Sequence, residues 1–208
     1  MKFVLFVEGY TEEKIIASFL KRWLDPRLQQ RVGIQVVRFD GWAEMVDDLP
    51  VKAPMYLHGP SADKIIAVIA LLDLYGPTIY PDHLTPAKER MGWAVGELQS
   101  RVSEERFRMF FAVHDVEAWL LSDPDLFPSS VARALPGKVQ QPESVNFDEP
   151  PAELLDRLYR EKQKKHYKKV IDGSALFKKL DPDRAYEKCP IFRQMMEEML
   201  TLAKGVGL

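Results

Sequence analysis

The sequence predicts an α/β fold: a mainly parallel four-stranded sheet flanked by helices, followed by a helical C-terminal portion. Three observations carry this. Four short apolar, β-rich runs punctuate residues 2–113, helix-length segments separate them, and beyond Pro124 the strand pattern stops. Strands that alternate with helices argue for βαβ units, whose crossovers are nearly always right-handed.

Residues 2–7 (KFVLFV) are too short for a helix and suit a buried strand. Gly9 breaks the run, and Thr11 is placed to cap the next helix with Glu12 and Glu13 in its first turn. Ile15, Ile16, Phe19, Leu20, Trp23 and Leu24 then share one helical face until Pro26 stops it. Residues 33–39 read as a second strand. A weaker helix is expected from about Ala43 to Leu49, with a Pro- and Gly-bearing loop over 50–63. Residues 65–72 (IIAVIALL) are ambiguous by period, but length and β-branching favour a strand buried on both faces, ended by Asp73. A long helix fits 86–103, a fourth strand Phe107 to Val113, and Val116 to Leu121 opens another helix. Five prolines lie between 128 and 151, and helices follow at about 151–163 and 190–203 with shorter ones between. The expected division is an α/β domain over 1–124 and a loop-rich, helical extension over 125–208 packed on it.

A chain of 208 residues with 46% apolar and 29% charged side chains has the composition of a folded protein, which excludes wholesale disorder. The apolar run Phe3–Val7 ends at Glu8, so it reads as a strand and not as a signal peptide. No run of about 18 apolar residues exists to span a bilayer. Cys189 is the lone cysteine; it excludes an internal disulfide and fits a reducing compartment, so a cytoplasmic location is expected. Charge is unevenly spread: residues 1–150 carry 16 basic and 22 acidic side chains, residues 151–208 carry 13 and 9. Acids that hold a cation and bases that hold a phosphate backbone would give this split, as would a solvated helix surface. No Walker A sequence, dinucleotide-binding glycine pattern or zinc spacing is present, so nothing suggests that the chain itself hydrolyses ATP.

Glu8 ends the first predicted strand, Asp73 the third, and His114, Asp115 and Glu117 follow the fourth. In a parallel sheet these ends lie at one edge, where open α/β sheets place their ligands. Converging carboxylates repel unless a divalent cation, a proton or a basic side chain intervenes, and hard oxygen ligands select Mg²⁺ or Mn²⁺. A simpler reading has each acid capping the helix after it; Glu12 and Glu13 suit it, and Asp115 would serve as an N-cap. Glu8 and Asp73 fit it poorly, because both end apolar strands where an uncompensated charge is costly. Three strand ends carrying acids favour the metal.

The segment Val7-Glu8-Gly9-Tyr10-Thr11-Glu12 resembles the Glu-Gly motif that opens Toprim domains, in the extended form of OLD-type nucleases. Asp73-Leu74-Tyr75-Gly76, His114-Asp115-Val116-Glu117-Ala118-Trp119-Leu120-Leu121, Tyr167-Lys168-Lys169 before Gly173, and Cys189-Pro190-Ile191-Phe192 follow in order. Together they are similar to the bacterial family labelled domain of unknown function 4276. The resemblance implies a Toprim-like fold with Glu8 and Asp73 as principal metal ligands and Glu12 and Glu117 as supporting acids. Lys169 matches the family's Tyr-x-Lys element, which implies that it neutralises the scissile phosphate or assists proton transfer. Tyr75 stands where a Toprim Asp-x-Asp pair has its second aspartate, so a second metal would need Asp115 or Glu117.

From Arg157 to Lys169 there are seven basic residues and one acid, interleaved with Tyr159, His166 and Tyr167. Lysines that hold phosphates and tyrosines that stack on bases would suit nucleic acid, although a solvated helix accounts for most of these lysines. His114 is a ligand, a proton shuttle or a buried hydrogen-bonding group; His58 and His83 carry no argument. Cys189 reads as a packed thiol. Ile191, Phe192, Met195, Met196, Met199 and Leu200 form a stripe suited to core packing or to docking a partner. The expected function is a divalent-metal-dependent nuclease on DNA or RNA, using Glu8, Asp73, Glu117 and Lys169. Two alternatives stand beside it: an effector subunit with little or no catalysis working with a separate ATPase, and a small-molecule phosphotransfer enzyme. The resemblance implies a place in phage defence or DNA repair.

Overall fold

Lys2–Val7 (β1) is apolar on both faces, which suits an inner strand covered on each side. The computed structural model, which describes residues 1–143 and 149–208, places it there. β1 pairs in parallel with Gly33–Arg38 (β2) on one side and with Ile65–Asp73 (β3) on the other, and β3 pairs in parallel with Phe107–Ala112 (β4). The order is β2-β1-β3-β4. All four predicted strands are found within one residue of their expected ends, and the ambiguous run at 65–72 is a strand buried at every position.

Alternation along β1 divides the core. Phe3, Leu5 and Val7 face one layer, Val4 and Phe6 the other. The first layer holds Tyr10–Leu24 (α1); the second holds Trp42–His58 (α2) and Ala87–Val102 (α3). After β4 come the one-turn helices Glu117–Leu120 (α4) and Ser129–Ala132 (α5), then Pro151–Gln163 (α6). Ser174–Lys179 (α7), Pro182–Lys188 (α8) and Pro190–Gly205 (α9) finish the chain and pack on the α1 side. Phe19 of α1 meets Trp119, Phe177 and Phe192 with ring centroids 6.0, 5.4 and 5.5 Å away. Arg22 also donates to the Phe177 carbonyl at 2.6 Å.

Two expectations are corrected. The second helix does not stop at Leu49 but continues through Pro50 and Pro54 to His58. A proline inside a helix costs roughly 3 kcal/mol, yet Leu49, Ala53 and Leu57 extend the buried stripe of Met45 and Val46 against the sheet. That burial, worth roughly 1.5–3 kcal/mol for each large apolar side chain, outweighs the break. The first helix begins at Tyr10 with Gly9 at its N-cap, two residues earlier than a Thr11 cap requires. The methionine stripe of α9 is core packing: Phe192, Met195, Met196 and Met199 are buried. Among the described residues no helix is long and apolar enough to cross a membrane.

Candidate functional site

The parallel register fixes where the acids go. Val7 pairs with Leu71, and Asp73 with Ala112, so the C-terminal ends of β1, β3 and β4 lie side by side. Glu8 leaves β1 at this edge, Asp73 is the last residue of β3, and the chain turns after β4 through His114 into Asp115. His114 sits at φ 70°, a left-handed conformation that costs a non-glycine residue roughly 1 kcal/mol or more. The strained turn redirects the chain, so that Asp115 and Glu117 drop into the edge, buried, instead of continuing the strand.

Asp115 serves two helices: its carboxyl meets the Glu117 N–H at the start of α4 and its Oδ2 accepts from the Ala152 N–H of α6 at 3.1 Å. Glu12 is no mere first-turn acid. It is 5% exposed at the edge, whereas its neighbour Glu13 is solvated beside Arg38 at 3.7 Å. Gly9 makes this possible: a Cβ there would collide with Glu12 Oε2.

Lys169 completes the group. Its Nζ lies 3.1 Å from Glu117 Oε2, 3.8 Å from Asp73 Oδ2 and 3.9 Å from Glu12 Oε1. Apart from that ammonium, the buried Glu117 oxygens meet no hydrogen-bond donor, and Asp115 Oδ1 is likewise buried without one. The Glu8 and Asp73 carboxyls are within hydrogen-bonding reach of each other. Lys169 opens a single π-helical turn, Lys169–Gly173. Asp172 pins that turn by accepting from the Lys168 N–H at 2.8 Å and from Lys165 Nζ at 3.1 Å. Asp156 holds the preceding residue through the Tyr167 N–H at 3.0 Å.

Burial raises every shifted carboxyl here. Asp73 goes well above its ordinary range, with Glu8, Asp115 and Glu12 adding to the rise and Lys169 opposing it. Burial, then the Asp115 charge, pushes Glu117 up to about 8. Glu8 and Asp115 also rise, chiefly by burial. Burial alone would lower the Lys169 ammonium, but Glu117, Asp73, Asp115 and Glu12 outweigh it and raise it.

Glu8, Glu12, Asp73, Asp115, Glu117 and Lys169 are thus gathered at one edge. His114 is buried beside them and lines a cavity of ≈660 Å³ with Leu74, Met91, Val113, Glu143 and Ile191. The notion that the tail's tyrosines stack on bases is corrected: Tyr159 and Tyr167 are 3% and 7% exposed and pack on each other. Part of the basic run is neutralised as well, with Arg157 on Glu149 and Glu161, Arg160 on Asp156 and Lys165 on Asp172. His58 bonds Glu104 at 2.8 Å, and Cys189 is buried with its thiol pushed up by desolvation. Sequence reasoning missed Glu143, whose two oxygens accept from Ile191 N–H at 2.6 Å and Phe192 N–H at 3.1 Å. It also missed Asp156 and Asp172, the supports of Lys169, and no motif marks any of the three.

The family model described as Domain of unknown function (DUF4276) matches residues 7–200. The chain belongs to the DUF4276 family. That match takes in every acid of the edge together with Lys169. Among solved structures the DUF4276 chain is similar to the C-terminal region of the Burkholderia pseudomallei OLD protein, with 19% identity, 97% and 98% of the two chains covered and a TM-score of 0.48. It is also similar to the C-terminal region of the Xanthomonas campestris pv. campestris OLD protein, with 16% identity, 98% and 93% covered and a TM-score of 0.46. No curated protein matches it.

Proposed function

We propose that this DUF4276 chain is a Toprim-type nuclease that hydrolyses phosphodiesters of DNA or RNA with a divalent metal. The observation that carries the reading is the crowding of buried acids, Glu12, Asp73, Asp115 and Glu117, around the Lys169 ammonium at the same edge as Glu8, with Asp115 Oδ1 left without a hydrogen-bond donor. A buried, unsatisfied carboxylate costs several kcal/mol, and a native fold keeps such a cost where a ligand relieves it.

The donor chemistry suits Mg²⁺ or Mn²⁺: Glu8, Glu12, Asp73, Asp115 and Glu117 offer hard carboxylate oxygens. Among the described residues no three His, Cys, Asp or Glu groups stand in a ready coordinating arrangement. The Lys169 ammonium lies between Glu12, Asp73 and Glu117. Glu8 and Asp73 would be the principal ligands, with Glu12, Asp115 and Glu117 supporting. When bound, the metal supplies an activated water and a Lewis acid at the phosphoryl oxygen. Lys169 balances charge on the phosphoryl group in flight, and the exposed Lys162, Lys164 and Lys168 beside it attract the phosphate backbone.

The test is cleavage. Purified chain with Mn²⁺ or Mg²⁺ is expected to nick plasmid or degrade single strands, with chelator stopping it and Asp73→Asn abolishing it. A second reading draws support from Tyr75, which puts an exposed aromatic where the resemblance expects an acid. On it the chain is a weakly catalytic effector subunit beside a separate ATPase. Binding of nucleic acid without cleavage under any divalent ion, reversed by adding an ATPase encoded nearby, would favour it.

A further inference from the structure

We infer that the acidic edge takes its nucleic acid as a single strand, with one unstacked base in the apolar cavity beside His114 and a neighbouring base stacked on Tyr75. The inference rests on the nuclease reading above and deepens it by naming the form of the substrate.

The cavity begins at the edge itself. Leu74 and His114 line it, and they are the chain neighbours of Asp73 and Asp115. Met91, Val113 and Ile191 give it apolar walls, and the exposed Thr85 and Lys88 add polar groups. Its ≈660 Å³ falls within the roughly 300–1,000 Å³ of small-molecule sites, which are mostly apolar with a few placed polar groups. Glu143 belongs to the wall, since its two oxygens already hold the N–H groups of Ile191 and Phe192. A second cavity of ≈460 Å³ shares Leu74, Thr85, Ala87 and His114 with the first and continues to Tyr75, Pro77 and Arg90.

Tyr75 is exposed but its backbone is fixed. The residue is 57% exposed, while its N–H donates to the His114 carbonyl at 2.8 Å and the Leu74 N–H to the Ala112 carbonyl at 2.9 Å. Across the loop between β3 and α3, the Tyr80 hydroxyl donates to the Leu74 carbonyl at 3.1 Å and Arg90 Nε to the Leu84 carbonyl at 2.7 Å. An exposed ring on a held backbone offers a face to any base, because every base has a π-face. Lys88 and Arg90 place positive charge along the two cavities, where the phosphates of a strand would run. In a duplex each base is already stacked and paired, so filling these places costs unstacking and unpairing that a single strand largely escapes.

Fluorescence anisotropy tests this with three labelled probes: a single strand of mixed sequence, its linear duplex, and the same strand with every second position abasic. Binding is measured on the full chain in chelator and on Asp73→Asn with Mn²⁺, neither of which cleaves on the reading above. The intact single strand is expected to bind about 10-fold or more tighter than either other probe. Tyr75→Ala should weaken single-strand binding about 5–150-fold, Tyr75→Phe should keep it, and duplex binding should not change. Ala87→Leu, at the half-buried residue shared by both cavities, narrows the passage and should weaken the single strand alone; circular dichroism reports whether each variant is folded. Duplex bound as tightly as single strand, or affinity indifferent to abasic positions, overturns the inference and leaves the nuclease reading standing; this arm needs no variant to fold. Wild-type affinity in folded Tyr75→Ala or Ala87→Leu likewise overturns it. A chain that binds neither strand nor duplex under either condition removes the nuclease reading and this inference together.

Discussion

Lys169 Nζ stands 3.1 Å from Oε2 of Glu117, a carboxylate whose side chain has no solvent exposure. The two residues are 52 apart in sequence, and each is poorly placed without the other: the acid buried and unsatisfied, the base held inward by a pinned turn. A charge so placed acts on the transition state more than on the encounter with substrate.

Lys169→Ala is therefore expected to slow cleavage about 10²-fold or more while nucleic-acid affinity moves little. Changing Lys162, Lys164 and Lys168 together to alanine should do the reverse, lowering affinity and flattening its dependence on salt. Single-turnover rates and binding isotherms at several salt concentrations separate the two. Equal effects on rate and affinity from both variants would mean that Lys169 is one more backbone contact.

The acids make a second prediction, on stability. Glu8→Gln and Asp73→Asn keep shape but remove a like charge from a crowded edge, so in chelator the fold should unfold at the same temperature as wild type or higher. Wild type should gain about 2.7 kcal/mol when Mn²⁺ reaches 100 times its dissociation constant, and both variants should lose that gain along with cleavage. Thermal melts with and without Mn²⁺ read this directly. A wild-type melt that ignores Mn²⁺ speaks against the metal.

Glu143 gives a pH dependence away from the acidic edge. Burial raises its carboxyl from an ordinary 4.5 to about 7, against the backbone N–H groups of Ile191 and Phe192, which hold it down. Between those two values the native state binds more protons than the unfolded chain, so stability present at acid pH is lost as pH rises through about 7. The ceiling on this loss is about 3 kcal/mol. Glu143→Gln removes this titration and should make the fall of the urea-denaturation midpoint between pH 5 and 7.5 shallower, leaving the part carried by the raised carboxyls of the edge. It also surrenders one of two helix-capping acceptors, costing about 1 kcal/mol throughout. An unchanged pH slope in the variant would assign the effect elsewhere.

Much of this fold was legible because its strands are short, apolar and separated by helices of ordinary length. Residues 65–72 were the hard case, and β-branching resolved them where periodicity did not. The run of α2 past Pro50 was not legible, because what carries the helix through its prolines is the sheet under Leu49, Ala53 and Leu57, a tertiary effect. At the site, strand ends announced Glu8, Asp73 and Asp115, and the family motif marked Lys169. The family motif singled out Glu12, but first-turn placement alone did not separate it from the solvated Glu13 beside it; the difference is the side of α1 each occupies. Asp156 and Asp172 look like ordinary surface acids in a basic stretch, and only the folded path of residues 164–173 reveals what they hold.

The last prediction turns on the sign of a small substitution. Gly173 has an ordinary helical conformation, φ −58°, so backbone propensity alone says Gly173→Ala should stabilise by roughly 0.4–1 kcal/mol. The new Cβ would instead sit 2.7 Å from the Tyr167 hydroxyl, the end of a buried ring packed on Tyr159 with little room to yield. Overpacking of this kind costs roughly 1–3 kcal/mol, so Gly173→Ala should destabilise and, by shifting the turn that carries Lys169, reduce cleavage. Tyr167→Phe removes a hydroxyl that is buried with no hydrogen-bond partner, so alone it should be neutral or mildly stabilising. In the double variant the hydroxyl that met the new methyl is gone, and stability should return most of the way to wild type. Urea denaturation of the four proteins closes the cycle, with a coupling of about 1 kcal/mol or more expected between residues in contact. Additive effects, or a Gly173→Ala protein more stable than wild type, would show that the turn yields freely and that Lys169 is not held by the packing of Gly173 on Tyr167.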